Sequence, residues 1–545
     1  MIESGTIADA LVAAASSDRG VRAIEHDGRA SVLAYKTLLA ESLQIAGALH
    51  ARGLTTGNRV ALVIPEVADF IRVFFGISIA GLVPVPLCPP AQAGDLPTFA
   101  RQSQHILDAS RASAVVTTAD VEPLLVNPVR LKPDPTNTAD PIKTVLVDEL
   151  RAGPSLTRPI AVPVEAPALL QFTSGSTAAP KGVVLTHANL HANISAPLYH
   201  DMGLIGMLFS AVYSQNDVVI LSPVLFLKRP TAWLEAMSTY RGTVSFAPNF
   251  AYDLCLRRVK PSQVNALDLS TWRAAGCGAE PIRADTLAAF AEHFAPAGFR
   301  ASSFVSSYGL AEHSLAVAFA PGGISVDAVD ADRLVGHSIA APIDGSAQVV
   351  RLVGCGCAFP DHEIRIVDEK GRPLPERRVG AIVARGPSVM QGYFENPEAT
   401  AEALRDGWLH TGDLGYLADG QLFVCGRTKD LIIRQGRKYH PADLESAISD
   451  LPGVRPSGAV VFAISRIEDD DEVVAVVEAR ASVASGDVIE QVRRRVRETA
   501  GLELDRIIVG PPGTIPRTTS GKVRRAEARD RVQAGTLDSR FLGKS

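Results

Sequence analysis

The stretch Leu170-Gln171-Phe172-Thr173-Ser174-Gly175-Ser176-Thr177-Ala178-Ala179-Pro180-Lys181-Gly182-Val183-Val184-Leu185-Thr186-His187 limits what this chain can fold into more than any other. Apolar residues run up to Thr173, and Val183 to Leu185 follow the lysine, so two strands should flank a hydroxyl-rich turn. Small residues such as Gly175 leave successive backbone N–H groups free to face an anion. Thr173, Ser174, Ser176 and Thr177 add hydroxyl donors, and Lys181 supplies a point charge on a flexible stem. Such a turn suits a triphosphate. A Walker loop is excluded, because it needs Gly before its lysine and a magnesium-binding hydroxyl after it, where this chain has Pro180 and Gly182. The bland alternative is a polar hairpin turn that happens to hold a lysine.

A chain of 545 residues with 46% apolar content buries a large core and should divide into two or more units. The opening ten residues carry acidic groups and no basic start before an apolar block, so no signal peptide is expected. The most apolar early stretch, 70–87, contains Arg72 and two prolines and is too broken to span a bilayer. The expectation is a cytoplasmic protein without stable membrane insertion. Cys88, Cys255, Cys277, Cys355, Cys357 and Cys425 include no C-x-x-C pair, so neither a zinc site nor a disulfide framework follows. A net charge of −5 gives no reason to expect nucleic acid.

Along the first 165 residues helical and strand patterns alternate: 38–51 is amphipathic, 59–64 reads as a buried strand, 68–80 as a helix and 83–87 as a strand. Alternation of this kind predicts an α/β fold with a parallel sheet. Residues 123–141, rich in Pro, Asn and Thr, read as a surface loop. Thr186 can cap a short helix, after which comes Pro197-Leu198-Tyr199-His200-Asp201. His200 is a candidate donor to a carboxylate or phosphate, though a lone histidine is more often structural. Small and apolar residues from Gly203 to Phe209 suit an acyl chain, and ordinary core packing equally.

Gly276-Cys277-Gly278-Ala279-Glu280 follows a buried strand and precedes a helix beginning near Ala284, where backbone can approach a flat ring closely. Tyr308-Gly309-Leu310-Ala311-Glu312 offers an aromatic that can stack and a carboxylate that can hold Mg²⁺. Thr411-Gly412-Asp413 reads as an acid in a tight turn, suited to two ribose hydroxyls. Gly426-Arg427-Thr428-Lys429 ends one folding unit, and the remainder closes with Thr518-Thr519-Ser520-Gly521-Lys522.

Taken together and in this order, these motifs resemble the adenylate-forming superfamily of acyl-CoA synthetases, adenylation domains and luciferases, over nearly the whole chain. The finer resemblance is to fatty acyl-AMP ligases. It rests on 197–206, on 241–252 with its Ala247-Pro248-Asn249-Phe250-Ala251-Tyr252, on Gly436-Arg437-Lys438-Tyr439-His440-Pro441, and on a long segment at 320–354 that looks like their characteristic insertion. The resemblance implies a large N-terminal domain of interleaved α/β sheets over 1–426 and a small mobile α+β C-terminal domain over 427–545. It implies attack of a fatty carboxylate on the α-phosphate of ATP, release of pyrophosphate, and transfer of the acyl group to an acyl carrier protein. In that family the insertion is thought to hinder the rotation that thioester formation with coenzyme A needs.

On this resemblance Thr173, His200, Glu312 and Lys522 carry the chemistry, with Mg²⁺ at Glu312 and Thr173. Ser174, Gly175, Ser176, Thr177 and Lys181 hold phosphates. Gly278, Ala279, Glu280, Tyr308 and Gly309 border adenine, Asp413 and Arg427 bind ribose, and Lys429 is the pivot. Arg493, Arg494, Arg495, Arg524 and Arg525 either meet an acidic carrier or are solvated helix faces. One departure stands out. Ile194-Ser195-Ala196 runs almost directly into Pro197, where the family has a further helix and strand. Two other readings therefore stay open: a fatty acyl-CoA ligase, and a catalytically impaired nucleotide-binding scaffold.

Overall fold

The computed structural model describes residues 5–89, 96–126, 142–173, 180–195, 203–343, 348–434, 437–465, 471–480, 483–517 and 523–537. The early alternation becomes a four-stranded parallel sheet in the order Val83–Pro86, Arg59–Val63, Ala114–Thr117, Lys143–Leu146. Helices Tyr35–Ala51 and Val67–Ile79 pack on it, their apolar faces joining one large core with Phe74, Phe75 and Phe209. The segment read as a loop from 123 instead begins with a helix, Glu122–Val126, because Leu124 and Leu125 can turn onto the core around Val85 and Phe99; 127–141 lies outside the described residues.

A five-stranded sheet holds Val244–Ala247, Ala274–Cys277 and Phe304–Gly309 in parallel, then Ala316–Ala320 and Cys357–Ala358 antiparallel. A three-stranded sheet pairs Ala30–Ala34, Gly20–Ile24 and Val218–Leu221. Among the described residues Val218–Leu221 and Val244–Ala247 each end their sheet, yet both feed the same core through Val218 and Phe246. The connection read as shortened falls just before these strands: the helix His187–Ser195 is followed by 196–202, which lies outside the described residues.

The segment 320–354 does not begin free of the sheet, since Ala320 closes the strand Ala316–Ala320. Beyond it, Val326–Asp330 pairs antiparallel with Val349–Val353, and the helix Ala331–His337 stands between them. Asp330 caps that helix by accepting from Arg333 N at 3.0 Å.

After residue 431 a separate apolar core forms. The strand Glu472–Ala479 is central in a three-stranded sheet between Val454–Ile464 and Arg506–Gly510. Its run Val473-Val474-Ala475-Val476-Val477 is fully buried because both faces are covered. Val473, Ala475 and Val477 face Val488, Val492 and Val496 of the helix Ser485–Ala500, while Val474 and Val476 face Ile515 and Ala528. Contacts from earlier in the chain to this core are mostly polar. Arg283 grips Asp450 with one nitrogen at 2.8 and 3.0 Å, Arg437 meets Asp332 at 2.5 Å, Gln348 donates to the Glu498 carbonyl at 2.5 Å, and Val335 adds an apolar contact.

Candidate functional site

The strands expected around the hydroxyl-rich turn are present: Pro167–Thr173 pairs antiparallel with Lys181–Thr186, and the register sets Thr173 opposite Lys181. Ser174, Gly175, Ser176 and Thr177 lie outside the described residues, as do His200 and Lys522. Thr173 Oγ1 donates to the Lys181 carbonyl at a long 3.5 Å. Thr186 caps the next helix as anticipated, its hydroxyl accepting from Asn189 N at 3.0 Å while Asn189 Oδ1 accepts from Thr186 N at 3.1 Å.

That helix fastens two distant loops. Asn189 donates to the Pro387 and Val389 carbonyls at 2.8 and 3.0 Å. Asn193, one turn on, donates to the His313 and Ala316 carbonyls at 3.1 and 3.2 Å and accepts from Ala316 N at 3.3 Å. Glu312 sits in the short 3₁₀ turn Ala311–His313 inside this staple, and its own carbonyl accepts from Met390 N at 2.9 Å. Glu312 Oε1 accepts the Tyr393 hydroxyl at 2.8 Å, and Lys181 Nζ lies 4.8 Å from the centre of the Tyr393 ring. Thus Lys181, Tyr393 and Glu312 form one file.

Beneath Glu312, burial and the neighbouring His362 push His313 down to about 4, so its ring is neutral at physiological pH. Its Nδ1 bonds the Ala316 carbonyl at 2.7 Å, and His362 Nε2 lies 2.8 Å from Ser388 Oγ.

The second group of candidates converges from two sheets. Tyr308, near the end of Phe304–Gly309, donates its hydroxyl to Asp413 Oδ2 at 2.6 Å, and both residues are buried. Arg427 Nε approaches Asp413 Oδ1 at 3.3 Å, with much of its side chain exposed. Burial holds the Asp413 carboxyl above its usual range, against the pull of Arg427 and the Tyr308 hydroxyl. Burial, then the Asp413 charge, raises the Tyr308 phenol well above its ordinary value, which keeps it a donor. Asp413 is not in a tight turn: it lies within the long strand Trp408–Ala418, opposite Arg427 on Gln421–Arg427. Gly412 at φ +77° produces a local irregularity in that strand instead of a reversal.

At Gly278 a Cβ would lie 2.4 Å from Ser307 Oγ and 2.8 Å from its carbonyl oxygen, so the tight approach is to a neighbouring strand of the protein itself. Ala279 takes φ +66°, and Glu280 Oε1 accepts from Phe250 N at 2.6 Å, which ties this loop to the helix Asn249–Arg258. Gly309 follows Tyr308 directly, where the pairing with Ala316–Ala320 shifts register. Of the residues named from sequence, Thr173, Lys181 and Glu312 thus share one neighbourhood, and Tyr308, Asp413 and Arg427 another. Gly278 and Ser307 link the adjoining loop. Tyr393 and Asn193 were missed, because only strand pairing and helix packing bring them here.

The arginines named for a carrier divide. Arg525 is taken up internally, bonding Glu445 at 2.8 and 2.9 Å and Asp430 at 2.5 Å, and Arg524 pairs with Glu527 at 2.5 Å. Arg494 remains exposed on the helix Ser485–Ala500.

The family of AMP-binding enzymes matches residues 12–394. The chain belongs to the AMP-binding enzymes. A Caulobacter vibrioides protein described provisionally as an acyl-CoA synthetase is 38% identical, with 97% of this chain and 96% of that one covered. The medium-chain-fatty-acid–[acyl-carrier-protein] ligase JamA of Moorena producens is 33% identical over 93% of this chain and 90% of its own. A solved structure from work on fatty acyl-adenylate ligases of E. coli and L. pneumophila superposes with a TM-score of 0.91 at 37% identity, covering 98% of both chains. This AMP-binding enzyme is an ATP-dependent ligase with the adenylate-forming fold. Among the described residues no helix is long and apolar enough to cross a membrane.

Proposed function

We propose that the protein joins a fatty acid to AMP at this site and then passes the acyl group to an acyl carrier protein. The observation that carries the reading is the convergence of Tyr308, Asp413 and Arg427 on one side and Lys181, Tyr393 and Glu312 on the other: a buried acid for ribose hydroxyls, and a carboxylate beside a cation for metal-bound phosphates. The carrier as acceptor is supported by the name of JamA and by the insertion, which meets the C-terminal core through Asp332, Val335 and Gln348. The description of the Caulobacter relative favours coenzyme A as a second acceptor to test.

In this mechanism a carboxylate oxygen of the fatty acid attacks the α-phosphorus of ATP, the bond to the bridging oxygen breaks, and pyrophosphate leaves with the electron pair. Asp413 accepts the ribose hydroxyls, and Tyr308, Gly309 and the Gly278-Ala279-Glu280 loop border the base. The Thr173 hydroxyl, the turn from Ser174 to Thr177 and Lys181 hold the β- and γ-phosphates. Lys522 offsets charge growing on the α-phosphate, and His200 stands by the acyl carboxylate. Positioning and charge neutralisation are the main demands on the protein.

The residues fit Mg²⁺. Among the described residues there is no cluster of three His, Cys, Asp or Glu, but this ion needs only one or two protein oxygens beside phosphate and water. Glu312 Oε2 has no hydrogen-bond partner among the described residues, and Thr173 Oγ1 makes only the long bond to Lys181. When bound there, Mg²⁺ would neutralise phosphate charge. The division at 426/427, with a C-terminal part turning about Lys429, belongs to the same proposal.

The test is fatty-acid-dependent exchange of labelled pyrophosphate into ATP, with acids from short to long chain. Lys522→Ala should reduce exchange by about 10²- to 10³-fold, and acylated carrier should form in preference to acyl-CoA when both acceptors are offered. Folded wild type that binds ATP but supports no exchange would overturn the reading in favour of a nucleotide-binding scaffold.

A further inference from the structure

Tyr393 lies outside the motifs read from the sequence, yet it touches both Lys181 and Glu312. Its backbone is fixed from three directions. The two-residue strand Gly392–Tyr393 pairs with Lys181–Thr186, placing Tyr393 opposite Val183 and Gly392 opposite Val184. Phe394 N donates to the Gly182 carbonyl at 2.8 Å, and Tyr393 N donates to Thr400 Oγ1 at 2.9 Å. Three residues earlier, Met390 N holds the Glu312 carbonyl. The same short segment therefore grips the strand that carries Lys181 and the turn that carries Glu312. The side chain repeats the arrangement, with its hydroxyl on Glu312 Oε1 at 2.8 Å and its ring face 4.8 Å from Lys181 Nζ.

We propose that Tyr393 is a positioning residue that presents Glu312 to a divalent cation on the nucleotide phosphates and holds Lys181 beside it. The inference rests on the reading of Glu312 as the metal carboxylate. A free carboxylate can turn away from a cation or chelate it with both oxygens. Mg²⁺ demands near-octahedral geometry and keeps several waters, so a single well-directed oxygen suits it better. With Oε1 taken by the phenol, Oε2 is the oxygen left to the cation. Partners that orient a ligating carboxylate typically matter about 10- to 100-fold in metal affinity or activity. The ring face also confines the Lys181 ammonium without neutralising it, as a second carboxylate would.

Tyr393→Phe separates these effects, because it deletes the donor and keeps the ring. Mn²⁺ binding to the enzyme–ATP complex, followed by the electron paramagnetic resonance signal of free Mn²⁺, is the readout, with ATP affinity measured separately without metal and the melting temperature as a folding control. Tyr393→Phe should weaken Mn²⁺ binding about tenfold and leave metal-free ATP affinity within about twofold. Tyr393→Leu should weaken metal-free ATP binding as well, since it removes the ring from Lys181. Wild-type Mn²⁺ affinity in folded Tyr393→Phe, beside weakened affinity in Glu312→Gln, would overturn the proposal and leave the reading of Glu312 standing. Unchanged Mn²⁺ affinity in Glu312→Gln would instead remove the reading of Glu312 and the proposal with it.

Discussion

The two neighbourhoods of the site are built differently. On the side assigned to ribose, Tyr308 and Asp413 are buried and joined by a 2.6 Å bond between strands of two sheets. On the side assigned to phosphate, Thr173, Lys181, Glu312 and Tyr393 are half-buried, and Glu312 keeps one oxygen without a partner among the described residues. The first pair is complete before any ligand arrives. The second is left for a ligand to complete. A nucleoside is unchanged by adenylation, so a rigid recess can serve it throughout, whereas phosphate charge is redistributed and calls for groups that stay accessible to water and cations.

Asp413→Ala strikes the completed side and should have the largest effect. It strips the Tyr308 hydroxyl and Arg427 of their partner and removes the acceptor proposed for the two ribose hydroxyls, and loss of two hydrogen bonds to a charged group corresponds to roughly 100-fold or more in the KM for ATP. The melting temperature should fall with it, because the phenol would be left buried and unsatisfied. A raised KM with an unchanged melting temperature would break the comparison, since the pair would then matter to the ligand alone.

Asn193→Leu probes the open side from beneath. Removal of its amide frees the His313 and Ala316 carbonyls and loosens the turn under Glu312. The expected result is a fall in kcat for pyrophosphate exchange of about tenfold with the KM for ATP little changed. An equal loss in KM would mean that the two neighbourhoods are not separable.

The smallest effect at neutral pH is a dependence on acid. His187, His313 and His440 are each pushed by burial down to about 4. A histidine whose folded pKa lies below the unfolded value of about 6.5 is held neutral by the fold, so its contribution is full above pH 6.5 and is lost as pH falls towards 4. Each such group supplies a penalty on the order of 3 kcal/mol at the acid end. Melting temperatures measured from pH 7 to pH 4 should fall steeply below 6.5, and His313→Asn should flatten part of that slope. If the slope is the same in the variant, His313 is not held neutral.

Much of the frame was legible from the residues alone. The alternating start, the strands flanking the hydroxyl-rich turn, the cap at Thr186 and the helix after Glu280 each follow local rules of periodicity and capping. Asp413 misled because Thr-Gly-Asp-Leu-Gly carries turn residues, while pairing with strands on both sides outweighs that preference and turns Gly412 into an irregularity within a strand. Arg525 misled because clustered arginines read as a carrier-docking patch or as solvated helix faces, and only the fold brings Glu445 and Asp430 onto it. Tyr393 and Asn193 gave no signal. Their partners lie 81 and 120 residues away, and no local pattern encodes a contact at that separation.

The polar seam before the C-terminal core has its own consequence. Exposed pairs such as Arg437–Asp332 and Arg283–Asp450 contribute about 0–1 kcal/mol each, and salt screens them beyond about 8 Å under physiological conditions. On the proposed division at 426/427, each of these contacts is weak enough that a bound ligand could bias which arrangement the C-terminal part adopts.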